Sequence, residues 1–93
     1  NKYGIKVLIE LKKIAIKVIE QLPEKPCEFE IIYFGSLAQG DFTIGSDIDL
    51  GFLVKNELHA THPYFKTLFG CLTLTFKYLG FCLHDEYNSA VYI

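Results

Sequence analysis

Two short runs in this sequence hold residue types that can act together on phosphate and metal. The first is Gly35-Ser36, which closes the apolar stretch Ile31-Ile32-Tyr33-Phe34. The second is Asp47-Ile48-Asp49, ten residues further on in the string GSLAQGDFTIGSDIDL. Glycine removes a side chain and lets the backbone approach a phosphate closely. Serine adds a hydroxyl, and the amide groups that open a helix attract anions. Two aspartates two apart on a strand share a face, and their hard oxygens suit Mg²⁺, which takes carboxylates together with phosphate oxygens and water. Held together, the two runs would seat a metal-bound nucleotide across the ends of adjacent strands. In-line attack on its α-phosphorus would then be stabilised by metal bridging the attacking and leaving oxygens.

The flanking sequence contains the elements needed to position these runs. From Gly4 to Leu22, Val7, Leu8, Leu11, Ile14, Ala15, Val18, Ile19 and Leu22 recur at helical spacing, and Pro23 stops the helix. Ile5, Ile9 and Ile16 fall outside that stripe as a second apolar ridge, set apart by Lys12. The ridge is either a second buried side or a surface for a partner. Glu28 to Phe34 reads as a strand entering a core, ended by Gly35, and residues 36–46 as one short helical turn and a loop. Asp47 to Val54 is strand-like again. Leu58 to Gly80 is ambiguous, because Leu72, Leu74, Phe76 and Tyr78 alternate with Thr73, Thr75 and Lys77. Its length and closing glycine favour a helix over 62–79. Only Lys66 and Lys77 are charged in that stretch, which makes it a second candidate partner surface. Phe81 to His84 reads as a third short strand, and Ala90 to Ile93 as a last apolar piece.

Composition narrows the choices. Ninety-three residues suit one domain, 1–93, and 51% hydrophobic with 15% aromatic residues excludes disorder. The net charge of −2 leaves no basic footprint for nucleic acid, so no direct nucleic-acid binding is expected. All nine cationic residues are lysines, which excludes an arginine finger from these residues. Cys27, Cys71 and Cys82 are odd in number and lack C-x-x-C spacing, so a reducing cytoplasm is expected, with Cys71 and Cys82 as buried small hydrophobes. No uncharged run approaches the ~20 residues that span a bilayer, and lysines recur through the first helix, so neither a membrane segment nor a targeting leader is expected.

Rival motifs fail on particular residues. Gly35-x4-Gly40 opens like a P-loop, but Asp41-Phe42 stands where Lys-Ser/Thr is needed. Asp41, Thr43, Gly45, Asp47 and Asp49 suggest a calcium loop, yet the glycine is misplaced and no glutamate closes a twelve-residue unit. His59 and His62, three apart beside Pro63 and without a nearby third ligand, read as loop histidines. Taken singly, the two aspartates could be a solvated strand edge and Gly35-Ser36 a mere turn.

Taken together, Gly-Ser-x10-Asp-x-Asp resembles the signature of the DNA polymerase β-like nucleotidyltransferase superfamily, and specifically its minimal nucleotidyltransferase branch. The likeness is close over Phe34 to Leu50, and the preceding helix and the Ala-Val-Tyr-Ile run are similar too. It implies an α/β (α+β) fold with a small mixed sheet of three or four strands flanked by helices. It further implies Mg²⁺ (two ions), ATP as donor, and transfer of a nucleoside monophosphate to a hydroxyl. Carried over by residue, Gly35, Ser36 and Ser46 would bind the nucleotide. Asp47 and Asp49 would be catalytic metal ligands. The family's third carboxylate, expected near His84 with Glu86 just beyond, falls to Asp85, although one residue of register turns a side chain to the other face. Many relatives carry a basic residue where this chain has Gln39, which removes one phosphate contact.

Minimal members of this branch commonly act beside a helical HEPN-domain protein, in pairs similar to a toxin and antitoxin. The expectation is therefore a Mg²⁺-dependent protein adenylyltransferase acting on a HEPN-type partner, docked through apolar helix surfaces that could equally serve a homo-oligomer. The competing expectation is a catalytically weak module that neutralises or scaffolds its partner by binding. Transfer to a small molecule such as an aminoglycoside ranks below both, for want of a second domain to form an acceptor pocket. Nucleic-acid polymerisation ranks lower still, for want of a basic channel.

Overall fold

The computed structural model describes residues 1–83 and 91–92. Helix α1 covers Lys2–Gln21, and Asn1 caps it by accepting the Gly4 N–H on Oδ1 at 2.6 Å. Val7, Leu11 and Ala15, four apart, carry its buried stripe into the core. The isoleucine ridge stays outside, with Ile5, Ile9 and Ile16 exposed by 60, 49 and 58%. It is a surface rather than a second buried side.

Strands β1 (Phe29–Phe34) and β2 (Asp49–Val54) pair antiparallel, with Phe29 opposite Val54 and Phe34 opposite Asp49. A two-residue strand β3 (Val91–Tyr92) runs parallel along the other side of β2, where it meets Leu53 and Val54. The architecture is the expected mixed α+β, and no fourth strand forms among the described residues. Strand alternation divides the sheet into two faces. Phe29, Ile31, Tyr33, Leu50, Phe52 and Val54 join the core with the helices. Glu30, Ile32, Phe34, Asp49, Gly51 and Leu53 take the opposite face.

Between the strands, the short helix α2 (Gly35–Gln39) follows β1 directly. After a 3-10 turn at Glu57–His59, helix α3 runs Pro63–Tyr78. It buries Tyr64, Phe65, Leu68, Leu72 and Phe76, a helical spacing that overrides the strand-like alternation of its second half. Thr73 and Thr75 fit because their hydroxyls donate to the carbonyls of Phe69 and Cys71, one turn back, at 2.8 and 2.7 Å. Leu74 and Tyr78 point to solvent, 71 and 90% exposed. The helix ends in a Schellman motif: Gly80 N–H donates to Lys77 O, Phe81 N–H donates to Phe76 O, and Gly80 takes a φ of +94°. His62 caps its start through Nδ1, which accepts the Tyr64 N–H. That settles one of the two loop histidines as structural.

Three expectations change. The strand expected from Asp47 starts at Asp49, because β1 turns into α2 after Phe34 and leaves nothing on that side for residues 47 and 48 to pair with. Ile48 instead bridges Leu83 in parallel and donates its N–H to Cys82 O at 2.8 Å. Accordingly, the strand expected over Phe81 to His84 is a single bridge at Leu83 in its described part, since His84 lies outside the described residues. Cys82 is exposed and Cys71 half-buried, so neither is the fully buried hydrophobe expected. No helix among the described residues is long and apolar enough to cross a membrane.

Candidate active site at the β1–α2 bend

Gly35 and Asp49 meet at one point. The antiparallel register sets Phe34 opposite Asp49, so the residue after Phe34 turns over the Asp49 side chain. Gly35 makes that turn with a φ of +58°, a left-handed conformation that disfavours a side chain. A Cβ placed there would collide with Oδ2 of Asp49. The glycine is therefore required twice, for its dihedral and for the space that the carboxylate occupies.

Ser36 follows within α2, half-buried, and its carbonyl accepts the N–H groups of Gly40 and Asp41 at 3.0 and 3.1 Å. Phe34 is the N-cap residue of α2 and its side chain makes no capping hydrogen bond. The first amides of a helix have no intrahelical acceptor. Gln39 is the last residue of α2 and is exposed.

The intervening loop is fastened at several points. Phe42 is 1% exposed and anchors it in the core. The ring of Tyr3 stacks on Phe42 with centroids 5.8 Å apart, and Asn1 Nδ2 donates to Phe42 O at 2.9 Å. Ser46 closes the tip: its Oγ accepts the Thr43 N–H at 3.0 Å and lies 3.1 Å from Thr43 Oγ1, while its own N–H donates to Thr43 O. The structure thus gives Ser46, an expected nucleotide-binding residue, a loop-shaping role through Thr43. Ile48 is fully buried, which turns its neighbours Asp47 and Asp49 away from the core, Asp47 exposed and Asp49 half-buried. Both carboxylates thus lie outside the core, Asp49 on the strand and Asp47 on the loop that precedes it.

Asp85 lies outside the described residues. Among the described residues no cluster of three His, Cys, Asp or Glu side chains is poised to hold a metal ion. Asp47 and Asp49 nonetheless fit Mg²⁺ in donor chemistry, since that ion commonly takes one or two carboxylates and completes its shell with phosphate oxygens and water. Because Gly35 has no side chain, the bend closes directly onto the Asp49 carboxylate, which keeps the two in contact.

Two hollows lie in this part of the described structure. One of about 100 Å³, lined by Ser46, Asp47, Tyr3, Phe42 and Phe81, is far below the ~300 Å³ of a ligand pocket. A roomier one of about 420 Å³ lies between α1 and β1, lined by Lys12, Ile16, Phe29 and Tyr33, away from both aspartates. Neither of these two hollows is lined by Gly35, Ser36 or Asp49.

Phe34 and Gly51 flank Asp49 in a way that residue spacing did not foresee. Only the strand register makes Phe34 the cross-strand neighbour of Asp49, and only the side-chain packing lays its ring over Gly51. A family model described as a nucleotidyltransferase domain matches residues 11–83. The chain belongs to this family, and its general activity is nucleotidyl transfer, in the transferase class. Members generally use a nucleoside triphosphate and a divalent metal. The matched span contains Gly35, Ser36, Ser46, Asp47 and Asp49 and stops short of Asp85. Neither the curated proteins nor the solved structures yield a match.

Proposed function

We propose that this chain is a Mg²⁺-dependent protein adenylyltransferase that moves AMP from ATP to a hydroxyl on a helical HEPN-type partner, as the antitoxin half of a pair. The seating of Gly35 against Asp49 carries this reading, because it joins a phosphate-accepting bend to a metal-ligating carboxylate. Gly35 and Ser36 would hold the β- and γ-phosphates, and Asp47 and Asp49 would hold the metal beside the α-phosphate. Bound there, Mg²⁺ would supply charge stabilisation to the phosphoryl oxygens. The acceptor oxygen forms a bond to the α-phosphorus, the α–β bridging P–O bond breaks, and pyrophosphate leaves with that electron pair. The hydroxyl proton passes to a carboxylate, for which Asp85 is the candidate.

Two exposed apolar surfaces support a protein acceptor. One is the Ile5, Ile9 and Ile16 ridge on α1, and the other is Leu74 and Tyr78 on α3. Large aliphatic and aromatic groups left in water at helical spacing are commonly covered by a partner. A second reading, in which the chain neutralises or scaffolds its partner by binding alone, draws on the same surfaces and on Gln39 where many relatives are basic.

Incubation with labelled ATP, Mg²⁺ and a HEPN-type protein separates the two. Transfer of label that is abolished by Asp47→Asn or Asp49→Asn supports catalysis. Undiminished transfer by either variant refutes it. Neutralisation that persists in the double variant without any label transfer supports the binding reading.

A further inference from the structure

Phe34 is a large aromatic residue at the end of a strand, yet 46% of it is exposed. Its side chain lies on the outer face of the sheet, the face of Asp49, its direct cross-strand partner. Such partners have Cβ atoms about 4.5–5.5 Å apart. The ring extends along the sheet over Gly51, where a Cβ would meet Phe34 Cε2 at 3.1 Å and Cζ at 3.4 Å. Gly51 has no positive φ, so its turn geometry does not call for glycine. What it provides is a bare patch of strand on which a ring can lie. Ile32 and Leu53, both half-buried, continue the same face with apolar surface.

We propose that Phe34, whose ring edge is seated at Gly51, is the platform on which the base of the nucleoside triphosphate stacks. The assignment rests on the nucleotidyl-transfer reading and deepens it. Platform and phosphate cradle are consecutive residues, Phe34 then Gly35-Ser36, and Asp49 stands beside both. A triphosphate tail in the bend and an α-phosphate at Asp49 leave the nucleoside over the nearest outer-face surface, which is this ring. Of the two hollows described above, the one at Asp47 is too small to receive the base, and the one between α1 and β1 is lined by neither aspartate. A π-face accepts any planar heterocycle, so the platform contributes affinity for a nucleotide over its bare phosphate tail.

The test compares two ligands on the whole chain: ATP and inorganic tripolyphosphate, each with Mg²⁺, by titration calorimetry. Wild type is expected to bind ATP more tightly than tripolyphosphate. Phe34→Ala should weaken ATP about five- to hundredfold while changing tripolyphosphate by less than about twofold. Phe34→Trp should retain ATP affinity. Gly51→Val keeps the aromatic residue but fills its resting place, and is expected to weaken ATP in the same selective way. ATP affinity unchanged in Phe34→Ala, or an equal loss of both ligands, overturns the platform. So does a wild type that binds the two ligands equally, while the phosphate and metal assignment stands. If Asp49→Asn binds tripolyphosphate as tightly as wild type, the phosphate and metal assignment itself falls.

Discussion

Replacing Gly35 by alanine perturbs the candidate site at its narrowest point. An alanine at a φ of +58° costs roughly 1–2 kcal/mol, because its Cβ crowds the backbone in the left-handed region. That cost alone would lower the melting temperature by about 4–8 °C per kcal/mol in a domain of this size. At this position the methyl also enters the space held by Asp49 Oδ2, so the carboxylate must swing away. Gly80→Ala is the matched control: its φ is +94°, and a Cβ there has nothing within 4 Å. Both variants carry the backbone cost, and only Gly35→Ala displaces the metal ligand. Thermal unfolding should therefore show a loss in both, larger in Gly35→Ala. Titration with Mg²⁺ and ATP should show affinity lowered tenfold or more, about 1.4 kcal/mol, in Gly35→Ala and within about twofold of wild type in Gly80→Ala. A Gly35→Ala protein that binds as well as Gly80→Ala would refute the claim that bend and carboxylate form one site.

Tyr33 offers a pH test. Burial pushes its phenol up from 10.0 to about 12, and its hydroxyl is buried with no hydrogen-bond partner among the described residues. The unfolded chain releases that proton first, so the stability present below pH 10 is lost as pH rises towards 12. In urea titrations at several pH values, Tyr33→Phe should flatten this alkaline decline and add about 1 kcal/mol at pH 7. An unchanged alkaline slope would show that the phenol is solvated in the folded state. Leu72→Ala, at a fully buried position of α3, should cost about 2–5 kcal/mol, measured as a lower urea midpoint. Ile9→Asp lies on the exposed ridge, so stability should stay within about 0.5 kcal/mol while capture of the helical partner is lost. Capture at wild-type strength would remove the ridge from the interface.

By itself the sequence determined the chemistry and most of the elements. The spacing from Gly35-Ser36 to Asp47 and Asp49 pointed to the nucleotidyltransferase family that the family model shows. Pro23 and Gly80 marked the ends of the long helices, because proline and left-handed glycine act locally. The apolar stripe of α1 was legible because one face repeats at helical period. The α3 segment was harder, since its threonines mimic strand alternation until their hydroxyls find carbonyls one turn back. Tertiary structure alone decided the matters that depend on pairing. It started β2 at Asp49 and sent the Ile48 N–H to Cys82, because both depend on residues whose proximity the chain must first fold to create. It also left the isoleucine ridge in water and laid Phe34 over Gly51. A strand pattern assigns a residue to a face, but which face is covered depends on where the helices pack.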